Sequence, residues 1–209
     1  MSESQPFNLS PRRWSKREEW WLGSVFHQVM VRGRVSRFLM ACPEPFRGEV
    51  LEVGAGRGWT SRRILETYPQ VELTATDIDQ KAMENFQKMR QQYGRRLYVK
   101  EADVMELPFD RSSFDFVAAD HVLHYVDDYA KALQQLLRVL RPGGLLGVIG
   151  SEWIGKNGIF KLMWPSVRRI RIADLERVFM EEKCDVLAKQ KDINSYCIWV
   201  RKAYPVKSN

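Results

Sequence analysis

Cysteine is scarce in this 209-residue chain: Cys42, Cys184 and Cys197 are odd in number and far apart. They match neither a disulfide framework nor a metal-ligand spacing, so reduced thiols are expected. Of the three histidines only His121 and His124 are close in sequence, and no metal centre is expected. No apolar run approaches the roughly 18 residues of a membrane span. The first residues are polar and include no apolar leader segment, which reads as a cytoplasmic protein. A dinucleotide fingerprint is missing too: counted from Gly54, G-x-G-x-x-G needs glycine at position 59, where Trp59 stands.

What is present centres on Val50-Leu51-Glu52-Val53-Gly54-Ala55-Gly56-Arg57-Gly58. The apolar β-formers predict a buried strand, the three alternate glycines a turn, and Trp59-Thr60-Ser61 a helix start. Glycine tolerates positive φ and lets a ligand approach bare backbone. The helix N-terminus behind it offers unpaired N–H groups to a carboxylate or phosphate. A second strand, 71–76, ends on Asp77, 23 residues beyond Gly54. That is about where a ribose-binding carboxylate belongs in a βαβ unit. An ordinary βα turn followed by a solvated acid is the plainer alternative.

Further strands and helices alternate along the chain. The pattern predicts helices over 60–68, 80–92, about 130–140 and 172–182, the third ended by Arg141-Pro142-Gly143-Gly144. Strands are predicted over 96–100, 114–119, 145–149, 185–189 and 195–201. Before the first strand, Trp21, Leu22, Val25, Phe26, Val29 and Met30 recur at helical spacing, so a helix is expected over 15–30. Gly33 is expected to break it, leaving a short second helix over 34–41 ended by Pro43 and Pro45. The alternation argues for a mostly parallel, doubly wound sheet.

Together the E-x-G-x-G-x-G loop and the acid after the second strand resemble the class I S-adenosylmethionine-dependent methyltransferases. Three later stretches strengthen the likeness: Glu101-Ala102-Asp103-Val104-Met105, Phe114-Asp115-Phe116-Val117 with Val122-Leu123-His124-Tyr125, and Leu140-Arg141-Pro142-Gly143-Gly144. The resemblance is specific over about residues 48–150. It implies a Rossmann-like, seven-stranded α/β sheet with an antiparallel last strand. It also implies a helical cap over 1–47 belonging to the same unit as a cofactor-binding domain over 48–209. S-adenosylmethionine is the implied cofactor, held by Glu52, Gly54, Ala55, Gly56, Gly58, Asp77, Ile78, Asp103, Val104 and Asp120. In the family the acid at the Asp103 position meets the adenine amino group, and the following residue packs on the ring. Asp120, His121, His124 and Tyr125 would face the transferred methyl, with His124 the base candidate by its intrinsic pKa. A hydrogen-bonded structural histidine is the competing expectation for His124.

Charge is unevenly spread. Residues 1–47 hold eight Lys and Arg against four Asp and Glu, 151–171 five against one, and 48–150 thirteen against fifteen. Trp14, Trp20 and Trp21 lie in the first basic segment, and Trp153, Phe160 and Trp164 in the other. Basic residues mixed with aromatics suit an anionic or membrane-associated acceptor, with peripheral attachment at a membrane. A plain small-molecule substrate is the first expectation, and nucleic acid ranks below both. No N/D-P-P-Y/F sequence follows the fourth strand, which argues against amino methylation of adenine or glutamine. No cysteine lies there for covalent C5-pyrimidine chemistry, and no paired-glutamate loop of the arginine-methylating kind is present. Two other classes stay open: a basic-surface binding module on a methyltransferase-like scaffold, and aminopropyl transfer on the same fold.

Overall fold

A computed structural model describes residues 25–79, 84, 86–152, 168–192 and 195–205, with side chains from Val31 onward. The predicted helix over 15–30 lies mostly outside the described residues, as do the tryptophans at 14, 20, 21, 153 and 164 and Phe160. Helix α1 runs Val25–Ala41, β1 Gly48–Val53, α2 Trp59–Thr67, β2 Val71–Asp77, α3 Gln87–Tyr93 and β3 Leu97–Glu101. Then follow β4 Phe114–Asp120, α4 Tyr129–Val139, β5 Leu140–Gly150, α5 Ile172–Glu181, β6 Asp185–Lys191 and β7 Tyr196–Arg201.

The strands form one seven-stranded sheet in the order β3-β2-β1-β4-β5-β7-β6. β1 pairs in parallel with β2 and β4, β2 with β3, and β4 with β5. β7 runs antiparallel between β5 and β6. The predicted doubly wound sheet with an antiparallel last strand is therefore the observed one. Its parallel strands all point their carboxyl ends to one edge, where ligands bind in open α/β sheets.

Two apolar layers cover the sheet. On one face, Val31, Val35, Phe38 and Leu39 of α1 bury against Val50, Phe116 and Trp199. Phe38 stacks on Trp199 with ring centroids 4.6 Å apart, and the indole N–H donates to the Phe38 carbonyl at 3.2 Å. The approach needs Gly147 between them: a Cβ there would lie 2.5 Å from the Trp199 ring and 2.6 Å from Phe38. On the other face α4 and α5 bury Leu133, Leu136, Leu137, Leu175 and Phe179.

Two expectations are corrected. Gly33 does not break the first helix, because α1 is continuous through it. Glycine in a helix costs only about 1 kcal/mol relative to alanine, and the stripe of buried residues on either side outweighs that. Nor does Arg141-Pro142-Gly143-Gly144 separate helix from strand as a loop. Strand β5 starts at Leu140 and absorbs these residues as a bulge, since Leu140 pairs with Phe114 while Leu145 pairs with Phe116. The chain after β7 holds the bulge in place: Gly143 N–H donates to the Lys202 carbonyl at 2.8 Å and Lys202 N–H to Gly144 at 3.0 Å.

Candidate functional site

At the carboxyl edge, Gly54, Gly56 and Gly58 carry positive φ values of 62, 51 and 73°. They turn the chain sharply from β1 into α2, and Gly58 begins that helix without a side-chain cap. Ala55 is buried and donates its N–H to the Thr76 carbonyl at 2.9 Å, stitching the loop to β2. Asp77 at the end of β2 accepts from Gly56 N–H at 2.7 Å through Oδ2 and from Asp79 N–H at 3.0 Å through Oδ1. Asp103, in the loop after β3, accepts from Met105 N–H at 2.8 Å. An ionised carboxylate has about four lone-pair sites, so both acids keep acceptor capacity facing the edge.

Three of the predicted residues take other positions than a ligand-facing one. Glu52 lies beneath the loop, 2% exposed, where the Ser61 hydroxyl donates to its Oε2. Val104 is 6% exposed and packs into the core, whereas Ile78 beside Asp77 is 36% exposed. Of the two, Ile78 is the exposed apolar side chain, whereas Val104 sits in the turn closed by Glu106 N–H on the Asp103 carbonyl and packs inward. His124, in the short turn Leu123–Tyr125, is 1% exposed. Ser151 N–H donates to its Nε2 at 3.0 Å, which fixes the tautomer and makes Nδ1–H the donor to the Arg168 carbonyl at 2.7 Å. Both ring nitrogens are engaged, and burial pushes its pKa down to about 4. The ring braces the turn and has no lone pair to offer an acceptor. Tyr125 sits half-buried in the same turn.

Asp120 ends β4 and gathers a network that sequence reading missed. Arg34 of α1 lies 3.1 Å from Oδ1, Thr60 of α2 donates to Oδ2 at 3.2 Å, and His121 Nδ1 is 2.8 Å from Oδ1. Burial alone would raise the Asp120 carboxyl, but Arg34 and His121 more than offset it and hold it well below the usual range. Burial and Arg34 push His121 below its ordinary pKa despite Asp120. A neutral His121 donating from Nδ1 keeps its lone pair on Nε2. His121 also carries a φ of 56°, uncommon for a side-chain-bearing residue and held here by its N–H bond to the Ile149 carbonyl at 3.0 Å.

The Glu52 carboxyl is pushed up to about 8 by burial, with the Asp120 and Asp77 charges adding and the Ser61 hydrogen bond opposing. Unfolded, the group titrates near 4.5. Between these values the folded chain keeps a proton that the unfolded chain has released, so this contribution to stability is full below pH 4.5 and lost as pH rises through 8. His121 and His124, lowered in the fold, slope the other way at acid pH, so the test is a difference. Glu52→Gln keeps an acceptor for Ser61 and removes the titration. Its stability relative to the parent should rise steadily from about pH 4.5 to 8 in urea unfolding. A pH-independent gap would remove Glu52 from the titrating groups.

A family model described as a methyltransferase domain matches residues 51–148. The chain is 29% identical over 140 residues to the ubiquinone/menaquinone biosynthesis C-methyltransferase UbiE of Desulfotalea psychrophila, covering 65% of this chain and 56% of that protein. The chain thus spans little more than half the length of this relative. Among solved structures, geranyl diphosphate methyltransferase in complex with SAM superposes with a TM-score of 0.74 at 10% identity, over 90% of this chain and 92% of that one. The [4+2]-cyclase SpnF superposes with a TM-score of 0.72 at 16% identity, over 85% and 84%. At such identities the superpositions show the fold alone, and the cyclase illustrates that this fold serves more than one reaction. The glycine loop, the acids at the ends of β2 and β4 and the matched span agree: residues 51–148 match the methyltransferase-domain family model, and the fold is Rossmann-like.

Proposed function

We propose that the chain transfers the methyl group of S-adenosylmethionine to a small-molecule or lipid-like acceptor by in-line displacement. The observation that carries this reading is the junction of Gly56 and Asp77. Their 2.7 Å hydrogen bond joins loop to strand, and a Cβ at Gly56 would meet nothing nearer than the Gly54 carbonyl at 4.0 Å. Bare backbone with positive φ beside open space is what a close-fitting nucleoside requires. The donor and acceptor set fits as well. Asp77 offers acceptors to ribose hydroxyls, Asp103 an acceptor to an exocyclic amine, and Ile78 an exposed apolar edge for a base. The name of the UbiE relative, a C-methyltransferase of quinone biosynthesis, favours a small and partly apolar acceptor.

When bound, S-adenosylmethionine supplies a methyl already activated on a sulfonium sulfur. What the protein adds is alignment and exclusion of water. Asp77 and the loop fix one end of the crevice, and the Asp120–Arg34–Thr60 network fixes the side toward the acceptor. Where the acceptor arrives protonated, His121 takes the proton through Nε2, since His124 is fully engaged.

Calorimetry on the full chain tests the assignment. The parent binds S-adenosylmethionine and S-adenosylhomocysteine. Asp77→Ala loses hydrogen bonds to a charged acceptor, each worth about 1.5–3 kcal/mol, so affinity for both falls at least about tenfold. Unchanged affinity in a folded Asp77→Ala protein would sink the ribose role.

A further inference from the structure

Asp120 is the acid at the transfer end of the crevice, and its lone pairs are taken. Oδ1 meets Arg34 Nη2 at 3.1 Å and His121 Nδ1 at 2.8 Å. Oδ2 accepts from the Thr60 hydroxyl at 3.2 Å and from Arg34 Nη2 at 3.3 Å. An ionised carboxylate has about four lone-pair sites, so these contacts leave none for a ligand. Other acids near the tip of β4 are no more available. Glu52 lies buried under Ser61. Asp127 is turned out to solvent, 94% exposed, against Arg168, and Asp128 caps α4 by accepting Lys131 N–H at 3.0 Å. Asp77 and Asp103 follow β2 and β3, two and three strands away from β4.

Two groups in the Asp120 cluster have no partner. Arg34 Nε is a buried N–H without an acceptor. His121 Nε2 is the other. With Nδ1–H given to Asp120 it carries a lone pair, and it meets no donor among the described residues. The backbone bond to the Ile149 carbonyl fixes the residue, and the side chain is 18% exposed, so the ring stays open to a ligand. What the cluster leaves unmet is therefore a donor on a cation and a neutral acceptor, with no anion. An ammonium group brings donors and a positive charge. It would find Arg34 and no open carboxylate among the described residues. A hydroxyl both donates and accepts. Its O–H suits Nε2, and its oxygen suits a cationic, donor-bearing surrounding.

We propose that the methyl acceptor is a weakly acidic hydroxyl compound, a phenol or enol, whose O–H donates to His121 Nε2 and whose oxygen takes the methyl group. As the oxygen lone pair bonds to the methyl carbon, the carbon–sulfur bond breaks and its electron pair stays on sulfur. The hydroxyl proton passes to His121 Nε2 and from there to water. Asp120 keeps hold of Nδ1–H and balances the imidazolium charge, the part a third group plays behind a base. Burial and Arg34 hold His121 below its ordinary pKa, so the lone pair is present at neutral pH. This proposal rests on the methyltransferase reading for its chemistry, but not for its hydroxyl binding.

The test is calorimetry and ligand-observed NMR on the full chain, with and without S-adenosylhomocysteine, at a pH where 4-nitrophenol is protonated. The probes are 4-nitrophenol, its methyl ether 4-nitroanisole and the cationic 4-nitrobenzylamine. The phenol should bind about three- to tenfold more tightly than the ether, the value of one neutral hydrogen bond, and the amine no more tightly than the ether. His121→Phe keeps a ring without a lone pair and should lose the preference. His121→Gln offers an amide oxygen and should keep it. Both variants take the Nδ1–H donor from Asp120, so their difference isolates Nε2. The affinity for S-adenosylhomocysteine should stay parental in both. With S-adenosylmethionine at neutral pH the parent forms 4-nitroanisole, and His121→Gln, which cannot take the proton, is at least about a hundredfold slower. Equal binding of phenol and ether, tighter binding of the amine, or a preference that survives in His121→Phe would overturn the proposal. So would a parent that binds S-adenosylmethionine and forms no ether, or parental turnover in His121→Gln. If the nucleoside does not bind but the phenol preference depends on His121, the hydroxyl site stands and the methyl-transfer reading falls.

Discussion

Gly56→Val abolishes binding of S-adenosylmethionine and S-adenosylhomocysteine, with a loss of about a hundredfold or more by calorimetry. The protein remains folded. Gly56 has a φ of 51°, and an added Cβ meets only the Gly54 carbonyl at 4.0 Å. The new Cβ therefore clashes with no part of the protein. It projects into the crevice at the strand ends, where the nucleoside and the backbone would otherwise touch. A positive φ costs a side-chain-bearing residue about 1–2 kcal/mol, so the melting temperature falls modestly. Gly54→Val is the control, since its Cβ would lie 2.6 Å from Val122 Cγ2. That variant must push the turn after β4 aside and should lose far more stability. Parent-like affinity in Gly56→Val would mean that the loop is not the cofactor cradle.

Asp120→Ala lowers the free energy of unfolding by about 3 kcal/mol, read from urea transitions at neutral pH. Removing one partner of a buried ion pair leaves the other uncompensated, at about 3–5 kcal/mol. The lower end applies because the Arg34 side chain is 21% exposed and regains some water, against 9% for Asp120. The Thr60 hydroxyl and His121 Nδ1 lose their acceptor in the same step. Adding Arg34→Met to Asp120→Ala should recover part of the loss, because no buried charge is then left alone. A single-variant effect within about 0.5 kcal/mol, typical of exposed positions, would show that the network holds nothing. Because Arg34 lies on α1, the same experiment measures how firmly that helix is tied to the tip of β4.

The elements most legible in sequence are those whose signal is local. β1, the glycine turn and α2 are spelled by apolar residues, alternate glycines and a helix start within some twenty consecutive positions. Asp77 follows β2 at a spacing set by one βαβ unit, and it meets Gly56 as that geometry requires. The resemblance adds the cofactor, through the glycine loop and Asp77, and the antiparallel final strand, through 195–201, neither of which periodicity alone could supply.

What only the tertiary structure decides depends on partners far away in the chain. Arg34 and Asp120 are 86 residues apart, and nothing local distinguishes Arg34 from a solvated helical arginine. His124 has the intrinsic chemistry of a base, but Ser151 and Arg168 take both its nitrogens, so packing assigns it a bracing role. Gly33 and the Pro142-Gly143-Gly144 run read as breaks because propensity is local. The buried stripe of α1 and the clasp of Lys202 outweigh that propensity by a few contacts each. The sequence by itself determined the fold class and the cofactor edge, because those rest on short-range pattern. The site's charge network and the assignment of its histidines were left to folding, because burial and pairing belong to the assembled chain and not to any stretch of it.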